Sequence, residues 1–239
     1  MKKIFSLLVT ALIATAGFSQ KTIHDPNIEV RSASGFHAIE ISSGIDLFLS
    51  YGDEAVAVSA KDLEARKRIK TEVKNGVLKI TFDWKDGFKF PMKGNQGLKA
   101  YVSYKTLERL EASGGSDIHV DGTIKSNELE VDISDGSDFD GKVDIATKLD
   151  ITASGGSDVH ISGTSSDLKV DASGGSDFHG YDLVTETCTV EASGGSDIDI
   201  TVNKELSAEA SGASDVSWKG SATVKKVKAS GAGSVSHRS

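Results

Sequence analysis

Apolar side chains recur at every second position through most of this chain. In "HAIEISSGIDLFLSYG", Ala38, Glu40 and Ser42 fall on one side and His37, Ile39 and Ile41 on the other. After Gly44 the alternation continues through Ile45, Leu47 and Leu49. A period of two with one apolar side predicts half-buried strands. "KTEVKNGVLKITFDW" places Asn75-Gly76 between two such runs, the sequence signal of a tight hairpin. "AKDLEARKRIKTE" (60–72) departs from the pattern, since Leu63, Ala65 and Ile69 fit no single strand face, and predicts one turn of helix. "KDGFKFPMKGNQG" (85–97) reads as a loop, and strands resume at "LKAYVSYKTLERLEASGG".

From Leu110 onward one short phrase governs the pattern. "EASGGSDIHV" (111–120) returns as "TASGGSDVHI" (152–161), "DASGGSDFHG" (171–180) and "EASGGSDIDI" (191–200). Worn copies stand at 132–141, 209–218 and 228–237. The residue opening each copy falls at 112, 133, 153, 172, 192, 210 and 229, in steps of 18 to 21 residues. A period near twenty is that of a solenoid whose coils cannot bury their apolar faces alone. The inward positions step by two. Before the turns come Leu129-Val131-Ile133, Leu149-Ile151-Ala153, Leu168-Val170-Ala172, Cys188-Val190-Ala192 and Leu206-Ala208-Ala210. After them come Ile118-Val120, Phe139, Val159-Ile161, Phe178, Ile198-Ile200 and Val216-Trp218. Cys188 takes a slot filled by Leu elsewhere, so it reads as a small buried hydrophobe rather than a nucleophile. The Gly-Gly pair suits a corner where neighbouring coils press closely and positive φ is required. No apolar stripe repeats at 3.6, so helical repeats are excluded.

These patterns predict an all-β chain, a right-handed parallel β-helix-like solenoid of ~20-residue coils with an N-terminal β region. The expected divisions are a leader at 1–19, an exposed lead-in at 20–29, an N-terminal β region at 30–110 and solenoid repeats at 111–239.

An acid recurs at one place in each turn: Asp117, Asp138, Asp158, Asp177, Asp197 and Asp215. Alternation points these side chains outward in a ladder. Two residues on, facing the same way, come His119, Asp140, His160, His179, Asp199, Ser217 and Ser236. Carboxylates ~4.8 Å apart in water repel by about 1 kcal/mol per pair. That is tolerable where each accepts hydrogen bonds from turn N–H groups or from the adjacent serines. Two sharper readings are open. Stacked carboxylates could hold calcium, although one acid per twenty residues is sparse beside nine-residue calcium rolls. Asp158, His160, Asp177 and His179, with Asp140 as a further oxygen ligand, could hold a transition metal. No cofactor is otherwise implied. Carboxylate pairs of the kind that cleave glycosidic bonds are present, but the repeat itself generates them. No Ser-His-Asp, HExxH, P-loop or dinucleotide motif occurs, so the reading is not an enzyme.

Charge and composition narrow the partners. The opening "MKKIFSLLVTALIATAGFSQ" has two lysines, an apolar run and small residues, the layout of a secretory leader. Its removal takes the formal charge from −8 to −10. Such a surface excludes nucleic acid and unassisted binding to anionic lipid. After the leader, no segment is long and apolar enough to be a membrane-spanning helix. The lone Cys188 leaves no internal disulfide, so stability rests on the fold. In the last copy Gly233-Ser234 replaces Ser-Asp, a departure expected of a capping coil.

"FHAIEISSGIDLFLSYGDEAVAVSA", then "KTEVKNGVLKITF", then serial "ASGGSD" turns, together resemble the head GIN domain family, whose members are labelled auto-transporter adhesins. The resemblance runs from about Gly35 to the C-terminus. It implies exported proteins built from stacked β-coils and carries no catalytic residues with it. The expected role is a non-catalytic envelope or surface protein, in the periplasm, at the outer membrane or outside the cell. It would present flat strand faces to a glycan or to an envelope or surface protein. The alternative is a cation-binding or polysaccharide-acting β-helix.

Overall fold

The computed structural model describes residues 25–84 and 97–238. The proposed leader and the loop read over 85–97, save its last residue, lie outside the described residues. The chain is all-β, with 66% strand and 3% helix, and winds into a β-solenoid of about six turns rather than a barrel.

The first strands are β1 (Glu29–Arg31), β2 (Ala38–Ile41), β3 (Asp46–Tyr51) and β4 (Ala55–Ser59). A short helix, α1 (Leu63–Arg68), follows where the alternation breaks. The Asp62 carboxylate accepts from the N–H groups of Glu64 and Ala65 at 2.7 and 3.1 Å and caps it, while Arg66, Lys67 and Arg68 complement its C-terminal end. β5 (Ile69–Lys74) and β6 (Val77–Phe82) form the expected hairpin. Asn75 and Gly76, at φ 52° and 78°, supply the two left-handed residues of its turn. β7 (Lys99–Tyr104) and β8 (Arg109–Ala112) lead into the repeats.

The repeats are long bent strands: β9 (Ile118–Ile133), β10 (Phe139–Ser154), β11 (Asp158–Ser173), β12 (Asp177–Ala192) and β13 (Asp197–Ala210). Shorter strands β14 (Asp215–Lys219), β15 (Thr223–Ala229) and β16 (Ser234–His237) close the chain. Neighbouring coils pair in parallel, in order, from β9 through β14 to β16, with β15 on β13. Register shifts near Asp140/Lys142 and Ile145/Lys148 mark the bends within a coil. The stack does not begin at residue 111, because β3 pairs in parallel with β9, and β2 with β8. The N-terminal end is finished by the antiparallel pairs β1–β4 and β5–β6.

One continuous apolar core runs through the coils as far as Trp218, and every inward residue named from the alternation is buried or partly buried. Cys188 sits in register between Leu168 and Leu206, and burial pushes its thiol pKa up, away from reactivity. The core also shows a volume rule. The first inward residue after the turn is Phe139 or Phe178 in two coils, and in each of these the next inward position is glycine. A methyl on Gly141 would lie 2.8 Å from the Phe139 ring. The coils between and after them carry Val159-Ile161 and Ile198-Ile200 instead. Large and small alternate so that the interior fills without voids.

The corner glycines divide by role. A Cβ on Gly194 would come within 3.0 Å of the Gly174 backbone of the coil before it, whereas the space around Gly195 is open. Gly175 has φ 86°, but Gly195 does not have positive φ. From that coil onward one left-handed residue suffices. That is why alanine, at 213 and 232, can take the second glycine's place.

Candidate functional site

The serines between each glycine pair and aspartate turn inward, contrary to the expectation that they support the carboxylates. Ser116, Ser137, Ser157, Ser176, Ser196 and Ser214 are all fully buried. The corner rotates the chain, so strand alternation does not carry through it. Their hydroxyls form a second ladder inside the wall. The Ser137 Oγ accepts from the Ser116 N–H at 2.9 Å, and the Ser157 Oγ from the Ser137 N–H at 3.2 Å. The Ser176 Oγ accepts from both Gly156 and Ser157, at 3.2 and 3.0 Å. The Ser196 and Ser214 hydroxyls continue the series at 3.2 Å each. At the other end the Ser116 Oγ receives the N–H of Ile45. Backbone donors stranded by the tight turn are thereby satisfied in the interior.

The repeated aspartates stand on the outer surface, partly or fully exposed. Asp158 pairs in register with Asp177, and Asp197 with Asp215. Asp138 accepts the Asp158 N–H at 3.1 Å, and Asp177 accepts the Asp197 N–H at 3.1 Å. Asp215 accepts the Ser234 hydroxyl at 2.6 Å. The column has a further member that the repeat period did not reveal. Leu47 pairs with Ile118, so Asp46 stands beside Asp117. Burial, and then the Asp117 charge, raises the Asp46 pKa above its ordinary value of 3.8, with His119 and Lys99 opposing. "SSGID" is a worn "GGSD", with Ile45 in the serine slot.

The next outward column is more varied. Tyr101 pairs with Phe48, and Phe48 with His119. Asp140, His160, His179, Asp199, Ser217 and Ser236 follow in register. Ring centroids are 5.2 Å apart for Tyr101–Phe48, 5.1 Å for Phe48–His119 and 4.5 Å for His160–His179. Tyr101 is held by its hydroxyl, which donates to Asp25 at 3.0 Å. Burial, and then that carboxylate, pushes the phenol pKa up to about 12.

β12 breaks the pattern next to His179. Gly180 pairs with Ile200 and Val184 with Thr201, so Tyr181, Asp182 and Leu183 have no partner in β13. Such a bulge re-aims side chains. Tyr181 lies beside the histidine pair and lines the same groove as Asp199. Its pKa is raised, first by burial and then by Asp199. The Lys219 ammonium stands 4.2 Å from the ring centroid. A groove of about 380 Å³ opens here, lined by Asp140, His160, His179, Tyr181, Asp182 and Asp199 among others. Of the candidates read from the sequence, His160 and His179 line it, while Asp158 and Asp177 stand in the neighbouring column. Among the described residues, no three His, Cys, Asp or Glu side chains come together in a way that could hold a metal ion.

A larger groove of about 940 Å³ lies along the coils near Glu108, Glu128 and Lys148. Its charges pair with one another, as Lys148 does with Asp150 at 2.6 Å and Lys125 with Asp144 at 3.8 Å. Among the described residues, no helix is long and apolar enough to cross a membrane.

The architecture is that of several solved structures. A protein described as a "putative adhesin" from Bacteroides fragilis NCTC 9343 superposes with a TM-score of 0.73 at 18% identity, covering 90% of this chain and 98% of that one. A "putative lipid binding protein" from Parabacteroides distasonis ATCC 8503 gives 0.64 at 18% identity, with the same coverage. A "putative adhesin" from Parabacteroides merdae ATCC 43184 gives 0.63 at 16% identity, again with 90% and 98% covered. At such identities the likeness is one of fold. No curated protein sequence matches the chain. The family model described as "Putative auto-transporter adhesin, head GIN domain" matches residues 35–222. The chain therefore belongs to the head GIN domain family.

Proposed function

We propose that this protein is an exported, non-catalytic, adhesin-like binder that works at the cell envelope or surface through one flat outer face of its solenoid. The observation that carries the reading is the in-register column from Tyr101 and Phe48 through His119, Asp140, His160 and His179 to Asp199. It sets rings and hydrogen-bonding groups one coil apart on a wall of parallel, in-register strands. Binding to such a surface loses little to ordering, because the contacts are already in place. The family's adhesin description and the leader-like start agree with this role.

The test is capture. Labelled protein is applied to intact bacterial cells and to panels of glycans and envelope proteins, beside a Phe48→Ser/His179→Ser variant. Retention by the native protein and loss by the variant are expected. A measured turnover with no ligand captured would overturn the reading.

A further inference from the structure

We propose that the groove beside Tyr181 is a sugar subsite selecting uncharged or amine-bearing glycans over acidic ones. This rests on the reading of the protein as a surface binder and names what it binds. The place is singled out because it breaks the repeat. In the other coils the strand passes this position without a bulge carrying an aromatic ring, whereas here three residues without a partner in β13 set Tyr181 beside His160 and His179. The volume, about 380 Å³, lies toward the lower end of the roughly 300–1,000 Å³ that small ligands occupy.

The chemistry of the lining decides the class. A tyrosine ring offers an apolar face of the kind that the C–H side of a pyranose covers. Ionised Asp140, Asp182 and Asp199 only accept hydrogen bonds, so they suit donors, namely sugar hydroxyls and ammonium groups. They oppose carboxylates and sulfates at the same distance. The imidazoles of His160 and His179 each offer a donor and an acceptor when neutral. Of the cations nearby, Lys219 already stands over the Tyr181 ring and Arg238 donates to the Ser217 hydroxyl at 3.5 Å.

The experiment measures binding at pH 7.5 to immobilised chitotetraose, its fully de-acetylated form and tetragalacturonate. Native protein is compared with Tyr181→Ala, Tyr181→Phe and Asp140→Asn/Asp182→Asn, each checked for an unchanged melting profile. The first two sugars are expected to bind at least ten-fold more tightly than tetragalacturonate. Tyr181→Ala should weaken them ten-fold or more, and Tyr181→Phe should retain most of the affinity. The double variant should shrink the preference against the acidic sugar at least three-fold. Equal or tighter binding of tetragalacturonate overturns the proposal, as does unchanged binding by Tyr181→Ala. So does retention of the protein by cells that is lost on proteinase treatment and survives periodate, which would make the partner a protein. These outcomes leave the surface-binder reading standing. That reading falls separately, if native protein is retained by no cell, glycan or envelope protein.

Discussion

Gly180 is the space that the Phe178 ring needs: a methyl at that glycine would lie 2.3 Å from the ring and 3.0 Å from the Asp199 carbonyl oxygen of the next coil. The two positions therefore behave as one unit of volume. Gly180→Ala is expected to cost about 1–3 kcal/mol by overpacking, and Phe178→Ala about 3–5 kcal/mol by the cavity it leaves. The paired change Phe178→Val/Gly180→Ile rebuilds the Val159/Ile161 arrangement of the preceding coil and should recover most of the loss. Urea unfolding of the single and paired variants decides it. Strict additivity would show that the two sites do not share space.

The buried hydroxyl ladder makes a second prediction. Ser176→Ala removes one acceptor and leaves the N–H groups of Gly156 and Ser157 without their side-chain partner. A loss of about 1–3 kcal/mol is expected. Asp177→Ala, one residue on and only partly buried, should cost less. If the aspartate change proved the more damaging, the outer column and not the inner one would be holding the corner.

Asp46 gives the pH dependence. Its pKa is raised in the folded state, so between the ordinary value of 3.8 and the folded value the native protein binds more protons than the unfolded chain. Stability contributed by this group is therefore greatest below 3.8 and falls as pH rises through the folded value. Asp46→Asn should raise the melting temperature at pH 7, and the gain should shrink as the pH is brought below 3.8. A gain independent of pH would point to a cause other than the carboxylate's charge.

Metal addition is expected to do little. The Asp158–Asp177 and His160–His179 pairs lie on adjacent columns and, among the described residues, no third ligand is gathered around either. Calorimetry with calcium and zinc should give no saturable heat, and Asp158→Asn/Asp177→Asn should leave the melting temperature in either ion unchanged. Saturable heat lost in that variant would reinstate the ion-binding alternative.

Much of this was legible in the residues. The period near twenty, the inward aliphatics, the Asn75-Gly76 hairpin and the helical turn near Leu63 all follow from local pattern, because each coil repeats the same local problem. The serine ladder was hidden, since two left-handed residues rotate the chain between Ala172 and Ser176 and alternation cannot be counted through them. Asp46 was hidden because its coil has lost the repeat's serine. Phe48 and Tyr101 join His119 only through pairing of strands far apart in sequence. Tyr181 left one trace, an interval from Asp177 to Leu183 one residue longer than in the two preceding coils, which without a partner strand looks like an ordinary insertion.

The open strand β15 is exposed at every residue and carries Lys225, Lys226 and Lys228, whereas the opposite end is closed by antiparallel pairs. The backbone hydrogen bonds between coils run along the axis joining these two ends. A pull applied between them would load the windings in series, and the rod would lengthen in jumps of one coil, peeling from the lysine-bearing end.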